Sequence, residues 1–220
     1  MPIATKVPDC RLYLITPPVL PHGFADQLTA ALGAGDVACL QLRMKGAADA
    51  AVVRTARELG EVCRSHNVAL IINDRPDLAV QADADGAHIG QGDGDIRAAR
   101  AVLGANRILG VTCHASRDLG LRAAESGADY VAFGAFFPTT TKDVEHHAEL
   151  EILEWWSDVI EVPCVAIGGI TIANCAPLVA AGADFLAVSS GVWKHSEGPA
   201  AAVAAFNAAI AGAIGHPGES

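Results

Sequence analysis

The chain has 220 residues, 51% of them hydrophobic and 18% charged, with aromatics at only 5% and a formal net charge of −10. That length suits one large domain or two small ones around a mostly aliphatic core, and the charge content excludes a disordered chain or a coiled coil. The negative balance argues against nucleic-acid binding through general electrostatics, but not against an anionic small molecule met by locally placed cations.

The N-terminal stretch MPIATKVPDC lacks the basic region and long apolar run of a secretory signal. The apolar runs, about eight residues long, fall short of the ~20 needed to cross a bilayer. A soluble, cytoplasmic protein is expected. Strands are predicted at 11–16, 38–43, 69–73, 86–90, 108–112, 130–134, 164–168 and 185–189. Each is short, nearly continuously apolar and rich in Val, Ile and Leu, as parallel strands covered on both faces are. Helical segments separate them, among them 47–66, 96–103 and 174–181, and an Ala-rich stretch at 198–213 closes the pattern.

One phrase recurs: Ala34-Gly35-Asp36, Ala84-Asp85-Gly86, Gly127-Ala128-Asp129 and Gly182-Ala183-Asp184 each precede an apolar strand. Glycine or another small residue there suits a left-handed helix C-cap. Eight strand–helix units in a chain of this size predict a single-domain (β/α)8 TIM barrel spanning about 11–214, followed by a short polar tail. A doubly wound open sheet is the competitor. It wants a glycine-rich phosphate turn after the first strand, where this chain has Thr16-Pro17-Pro18. The six cysteines (Cys10, Cys39, Cys63, Cys113, Cys164, Cys175) show no metal-ligand spacing, and several sit in apolar runs as small hydrophobes.

A barrel of this kind carries its active site at the C-terminal ends of its strands, and polar residues collect there. Strand 2 ends in Gln41-Leu42-Arg43-Met44-Lys45, strand 3 in Asn73-Asp74-Arg75, and strand 4 runs into His88 and on to Asp93. Strand 5 ends in Thr112-Cys113-His114, and strand 6 opens into Pro138-Thr139-Thr140-Thr141-Lys142. Strands 7 and 8 finish at Gly168-Gly169 and Ser189-Ser190-Gly191. The last two loops suit a phosphate held by backbone N–H groups and hydroxyls, while tight turns that need glycine anyway are the plainer account. Asp74 and Asp93 suit Mg²⁺, which takes one or two carboxylates and completes its shell with water and substrate oxygens. The plainer account of Asp93 is a helix N-cap, a role Asp95 could fill equally. Arg43, Lys45 and Lys142 would concentrate positive charge for a diphosphate.

Other features invite less. Cys113 and His114 invite a nucleophile–base reading, but neither neighbours an obvious third group, and Cys113 alternates with Thr112 across a strand. His146-His147 lack the i, i+4 spacing of a helical metal site. Trp155-Trp156 are expected to cover the barrel exterior or an interface. No lysine lies mid-strand where an aldolase-type Schiff base would form.

Taken in order, these motifs resemble the thiamine phosphate synthase family over the whole chain from LYLIT onward. They are Q-x-R-x-K (Gln41, Arg43, Lys45), I-N-D (Asn73, Asp74), H-I-G-Q-x-D (His88 to Asp93), P-T-x-T-K (Pro138 to Lys142) and A-I-G-G-I (Ala166 to Ile170). The resemblance implies coupling of a hydroxymethylpyrimidine diphosphate with a thiazole phosphate, giving thiamine monophosphate and pyrophosphate. It implies Mg²⁺ on Asp74 and Asp93, with Arg43, Lys45 and Lys142 neutralising the departing pyrophosphate and Thr112 near it. Gln41 and Asn73 would bind the pyrimidine or its diphosphate. Thr139, Thr141, Gly169, Ser189 and Ser190 would hold the thiazole phosphate. Small-molecule substrates, no nucleic acid, no membrane and an open question of homo-oligomerisation follow. Two departures stand out. Met44 replaces the usual acidic residue between Arg43 and Lys45, and the loop after Lys142 reads DVEHHAEL rather than leading to a Gly-Leu pair. They keep two alternatives open: the sibling thiazole tautomerase, a proton-transfer isomerase in which His114 would act, and a non-catalytic binder of thiazole phosphate.

Overall fold

Eight parallel strands alternate with helices in the computed structural model, which describes residues 10–138 and 147–214. In chain order they are β1 (Arg11–Ile15), α1 (Phe24–Leu32), β2 (Val37–Leu42), α2 (Asp49–Ser65), β3 (Ala69–Asn73), α3 (Pro76–Ala82), β4 (Gly86–Ile89) and α4 (Ile96–Leu103). There follow β5 (Ile108–His114), α5 (Arg117–Glu125), β6 (Tyr130–Gly134), α6 (Leu150–Val159), β7 (Cys164–Ile167), α7 (Ala176–Ala180), β8 (Phe185–Val188), α8 (Ser190–Trp193) and α9 (Gly198–Ile214). Each strand pairs with the next, and β1 pairs with β8, closing the barrel. The chain is a TIM barrel, as its pattern predicts.

The apolar runs conceal a period of two. Leu12, Leu14, Leu40, Leu42, Leu70, Ile72, Val131 and Phe133 point outward into the layer beneath the helices. The alternate positions Tyr13, Ile15, Cys39, Ile71, Tyr130, Ala132, Val165 and Ala187 form a separate plug inside the barrel. Helices complete the outer layer with one face each; α2 buries Val52, Ala56, Leu59 and Cys63 at helical spacing. Trp156 is not a surface cover. It is fully buried in that layer, edge-on to Phe133, with its indole N–H on the Val162 carbonyl at 2.7 Å. Trp155 beside it stays partly exposed under the Arg117 guanidinium.

The recurring Asp is a tether at the N-terminal end of the barrel. The carboxylates of Asp85, Asp129 and Asp184 accept the backbone N–H of Leu70, Leu109 and Cys164, at 2.7, 2.7 and 2.9 Å. Each therefore ties the strand it precedes to the start of the neighbouring one. Asp36 differs, pairing instead with the Arg11 guanidinium at the start of β1. The predicted left-handed caps are met at Gly127 (φ +94°) and Gly182 (φ +93°), and by Asp83 (φ +55°) after α3. Gly35 takes no such conformation; α1 ends on Gly33 at φ −76°.

Boundaries moved by a residue or two. Residues 16, 43, 90, 168 and 189 fall just past their strands, and β2 begins one residue early. β5 runs on to His114 through an irregularity between Thr112 and His114 in its pairing with β6. α7 is shorter than the predicted 174–181 because the Asn174 side chain is engaged in the preceding loop.

Candidate active site

Strand parity decides what faces the barrel mouth. On the inward positions where the apolar plug ends, the strands carry Gln41, Asn73, His88 and Thr112, and the loops continue with Arg43, Lys45, Asp74 and Asp93. All line one cavity of ≈ 630 Å³ at the C-terminal end, where Gly169, Ser189 and Ser190 complete the opposite wall. Apart from His88, these are ten of the thirteen residues given a site role from sequence, and they come from six different strand ends. Thr139, Thr141 and Lys142 lie outside the described residues.

The acidic pair occupies one wall. Asp74 follows β3 in a left-handed conformation, φ +62°, which is uncommon for a residue with a side chain and tolerated best by Asp and Asn. Its N–H is held by the His88 carbonyl at 2.7 Å, and its carboxylate meets the Lys45 ammonium at 3.2 Å. Partial burial raises the Asp74 pKa, and the adjacent Asp93 carboxyl raises it further, while Lys45 opposes both. Two acids forced together this way favour a bound cation or a shared proton. Asp93 is not the helix cap: Asp95 accepts the Ala98 N–H at 2.9 Å, while Asp93 accepts the Gly90 N–H at 2.8 Å, which steadies its own loop. Arg43 and Lys45 are the described cations of the cavity, and Lys45 is already paired, so these walls are balanced rather than a purely positive basin.

Across the cavity floor runs a chain of neutral groups. Gln41 Nε2 donates to Tyr13 Oη at 2.8 Å, and Tyr13 Oη lies 2.8 Å from Tyr130 Oη. Tyr130 Oη lies 3.0 Å from His88 Nδ1, and His88 Nε2 lies 2.8 Å from Thr112 Oγ1. Burial pushes the His88 imidazole down to about 4 and both phenols upward, so all stay uncharged near neutrality. Gly110 makes room for this floor, since a Cβ there would lie 2.0 Å from the Tyr130 ring. The two tyrosines are the only ones in the chain. Sequence reasoning assigned them no role, and quoted His88 only as part of a motif. The available signal was parity: a polar ring on the inward side of an otherwise apolar strand.

The wall at β7 and β8 is set by backbone. Gly168 and Gly169 hold φ +105° and +64°, and a Cβ on Gly169 would lie 2.4 Å from the Pro138 carbonyl. These glycines therefore have a conformational reason to be there, independent of any ligand. Asn174 fastens the loop, accepting the Thr171 N–H at 2.7 Å and donating to the Gly169 carbonyl at 3.1 Å. The Ser189 hydroxyl donates to the Thr16 carbonyl at 3.4 Å, while the Thr16 hydroxyl accepts the Arg43 N–H at 2.9 Å, so the mouths of β1, β2 and β8 are joined.

Met44 packs against the outer apolar layer, between Arg43 and Lys45, which both line the cavity. Cys113 is fully buried in that same layer, and burial pushes its thiol up to about 12. His114 instead lines the cavity. The two cannot act as a nucleophile–base pair. A second hollow beside α5, bordered by Arg117 and His147, is open and lies apart from these groups.

A family model described as thiamine monophosphate synthase matches residues 12–192. The chain belongs to the thiamine monophosphate synthase family. It is 58% identical over 205 residues to the thiamine-phosphate synthase of Rhodospirillum centenum, covering 93% of this chain and 99% of that one. It is 53% identical over 207 residues to the thiamine-phosphate synthase of Hyphomonas neptunium, covering 91% and 94%. Among solved structures, the thiamine phosphate pyrophosphorylase of Pyrococcus furiosus superposes with a TM-score of 0.82 at 28% identity, covering 94% of this chain and 98% of that one. Membership in the thiamine monophosphate synthase family makes the chain an enzyme of transferase type.

The donor set suits the Mg²⁺ that the resemblance implies. Two adjoining carboxylates, with Asp74 driven toward protonation by its surroundings, leave a divalent ion to complete its shell with water and substrate oxygens. Among the described residues no group of three or more His, Cys, Asp or Glu could cage a metal alone, and no helix is long and apolar enough to cross a membrane.

Proposed function

We propose that this chain is a thiamine-phosphate synthase that couples hydroxymethylpyrimidine diphosphate to thiazole phosphate by a dissociative displacement. The reading is supported above all by the meeting of ten sequence-predicted site residues around one cavity. In the first step the bond from the pyrimidine methylene carbon to the diphosphate oxygen breaks, and its electron pair leaves with pyrophosphate. In the second, the lone pair of the thiazole nitrogen forms a bond to the methylene cation, giving thiamine monophosphate.

Asp74 and Asp93 would hold Mg²⁺, which when bound supplies charge neutralisation to the diphosphate oxygens. Arg43, Lys45 and Lys142 would meet the charge that develops on the leaving group, a preorganised stabilisation that is usually the largest catalytic contribution. Lys45 would exchange its contact with Asp74 for one with the diphosphate. Gln41 and Asn73 would orient the pyrimidine, and Thr112 would donate to a leaving-group oxygen. Thr139, Thr141, Gly169, Ser189 and Ser190 would hold the thiazole phosphate. No base of tuned pKa is needed, because neither step removes a proton. We take the whole chain as one domain and the enzyme as cytoplasmic.

The deciding experiment is pyrophosphate release by the purified protein given both substrates, with and without Mg²⁺. Metal-dependent release with thiamine monophosphate as product is the expected result. His114 lines the cavity and keeps a second reading, the thiazole tautomerase. Absence of release together with isomerisation of a thiazole carboxylate phosphate, lost in His114→Ala, would replace the synthase reading with that one.

A further inference from the structure

The chain Gln41–Tyr13–Tyr130–His88–Thr112 links side chains of five strands, β2, β1, β6, β4 and β5, by four consecutive hydrogen bonds. Its interior members are buried: Tyr13 is 2% exposed, His88 6% and Tyr130 7%. Among the described residues no buried side-chain nitrogen or oxygen lacks a partner. Each phenol and the neutral imidazole has a single proton to give, so the bonds cannot be oriented independently.

The Gln41 end sets the order. Gln41 Nε2 already donates to Tyr13 Oη, and within the network the only acceptor left for the Tyr13 hydroxyl proton is Tyr130 Oη, 2.8 Å away. Tyr13 therefore donates to Tyr130, Tyr130 donates to His88 Nδ1, and the imidazole carries its proton on Nε2. That proton points to Thr112 Oγ1, 2.8 Å away. The Thr112 oxygen is thus used as an acceptor beneath, and its own hydrogen turns into the cavity that Thr112 lines. Tyr130 does not line that cavity; it acts on it through His88.

We propose that this network orders its protons in one direction, with Tyr130 and His88 as positioning residues that make Thr112 an obligate hydrogen-bond donor to the substrate. A free threonine hydroxyl can either donate or accept; this one is committed to donation. The cavity-facing hydrogen suits an anionic oxygen and discourages a donor placed there. That the oxygen belongs to a departing diphosphate rests on the function proposed above, whereas the proton order does not.

Neutron diffraction from the deuterated wild-type protein reads the order directly. Deuterium on His88 Nε2, with none on Nδ1, and the Tyr130 deuteron directed at Nδ1 are expected; deuterium on Nδ1 overturns the order whatever the enzyme catalyses. The role is read from Tyr130→Phe in the coupling assay. A kcat lowered roughly tenfold with an unchanged KM for thiazole phosphate is expected, and in a Thr112→Val background Tyr130→Phe should cost nothing more. Independent, multiplying losses, or a Tyr130→Phe variant with wild-type kcat, would overturn the positioning role. A wild-type protein inactive in coupling would sink the synthase reading and leave the neutron result to stand or fall alone.

Discussion

Asp74 and Lys45 face each other at 3.2 Å across the mouth of the barrel, and Asp93 adjoins the same carboxyl. The arrangement holds two acids and one ammonium where a diphosphate and its metal would enter. Asp74 has a raised pKa, so between the unfolded carboxylate value and this higher one the folded state binds more protons than the unfolded. Stability therefore falls as pH rises through that window. The site is electrostatically unfavourable when empty of a cation, as functional sites commonly are. Asp93→Asn should reduce turnover at least about a hundredfold without lowering the melting temperature. Calorimetric titration with Mn²⁺, expected to show binding to wild type and none to the variant, checks the metal assignment apart from activity.

Met44→Glu tests the departure from the family pattern. The Met44 side chain packs on the outer layer and does not line the cavity. The variant should keep kcat within about twofold and lose stability, on the order of 1 kcal/mol, from burying part of a carboxylate. A large gain in kcat would mean that an acidic side chain here reaches the substrate.

His88 gives the protein a defined acid sensitivity. Its pKa is held down to about 4 by burial, against about 6.5 in an unfolded chain. Between those values the unfolded state binds the extra proton, so stability falls as pH drops from 6.5 toward 4, by about 3 kcal/mol in all. Urea denaturation across that range should show a shallower slope for His88→Gln than for wild type. Parallel slopes would mean the imidazole is solvated.

The tethers at the opposite end of the barrel should affect stability and leave catalysis alone. Asp85→Ala removes the acceptor for the Leu70 N–H, 2.7 Å away beneath a buried residue. An unsatisfied buried amide costs about 1–3 kcal/mol. Chemical denaturation should report that loss, while kcat and KM stay at wild-type values because the active face of a barrel lies at the other strand ends.

Gly110→Ala should be far more damaging than its one methyl suggests. The added carbon would lie 2.0 Å from the buried Tyr130 ring. Overpacking of this kind costs about 1–3 kcal/mol or more, and here it also displaces the floor under Thr112. The expected outcome is a lower denaturation midpoint together with lower kcat, measured on the same preparation.

Much of this was readable in the chain. Short aliphatic strands separated by helical segments announce parallel strands buried on both faces, and eight of them in 220 residues leave little besides a closed barrel. Once a barrel is expected, the polar residues at the strand ends have one place to go, and Gln41, Arg43, Lys45, Asn73, Asp74, Asp93 and Thr112 went there. The recurring Asp was visible as a pattern, but its task was not, because the N–H groups it accepts belong to neighbouring strands.

What the sequence determined by itself was therefore the architecture and the polar rim of the cavity, both consequences of local periodicity and of which residue types close a strand. What only the tertiary structure decided was the floor. Tyr13 and Tyr130 are 117 residues apart and share a hydrogen bond, and neither shows in its own strand which partner it will meet. Closure of the barrel brings their inward faces together. Buried hydroxyls with a single proton each must then be satisfied jointly, so the role of each is set by neighbours that no local stretch of chain can specify.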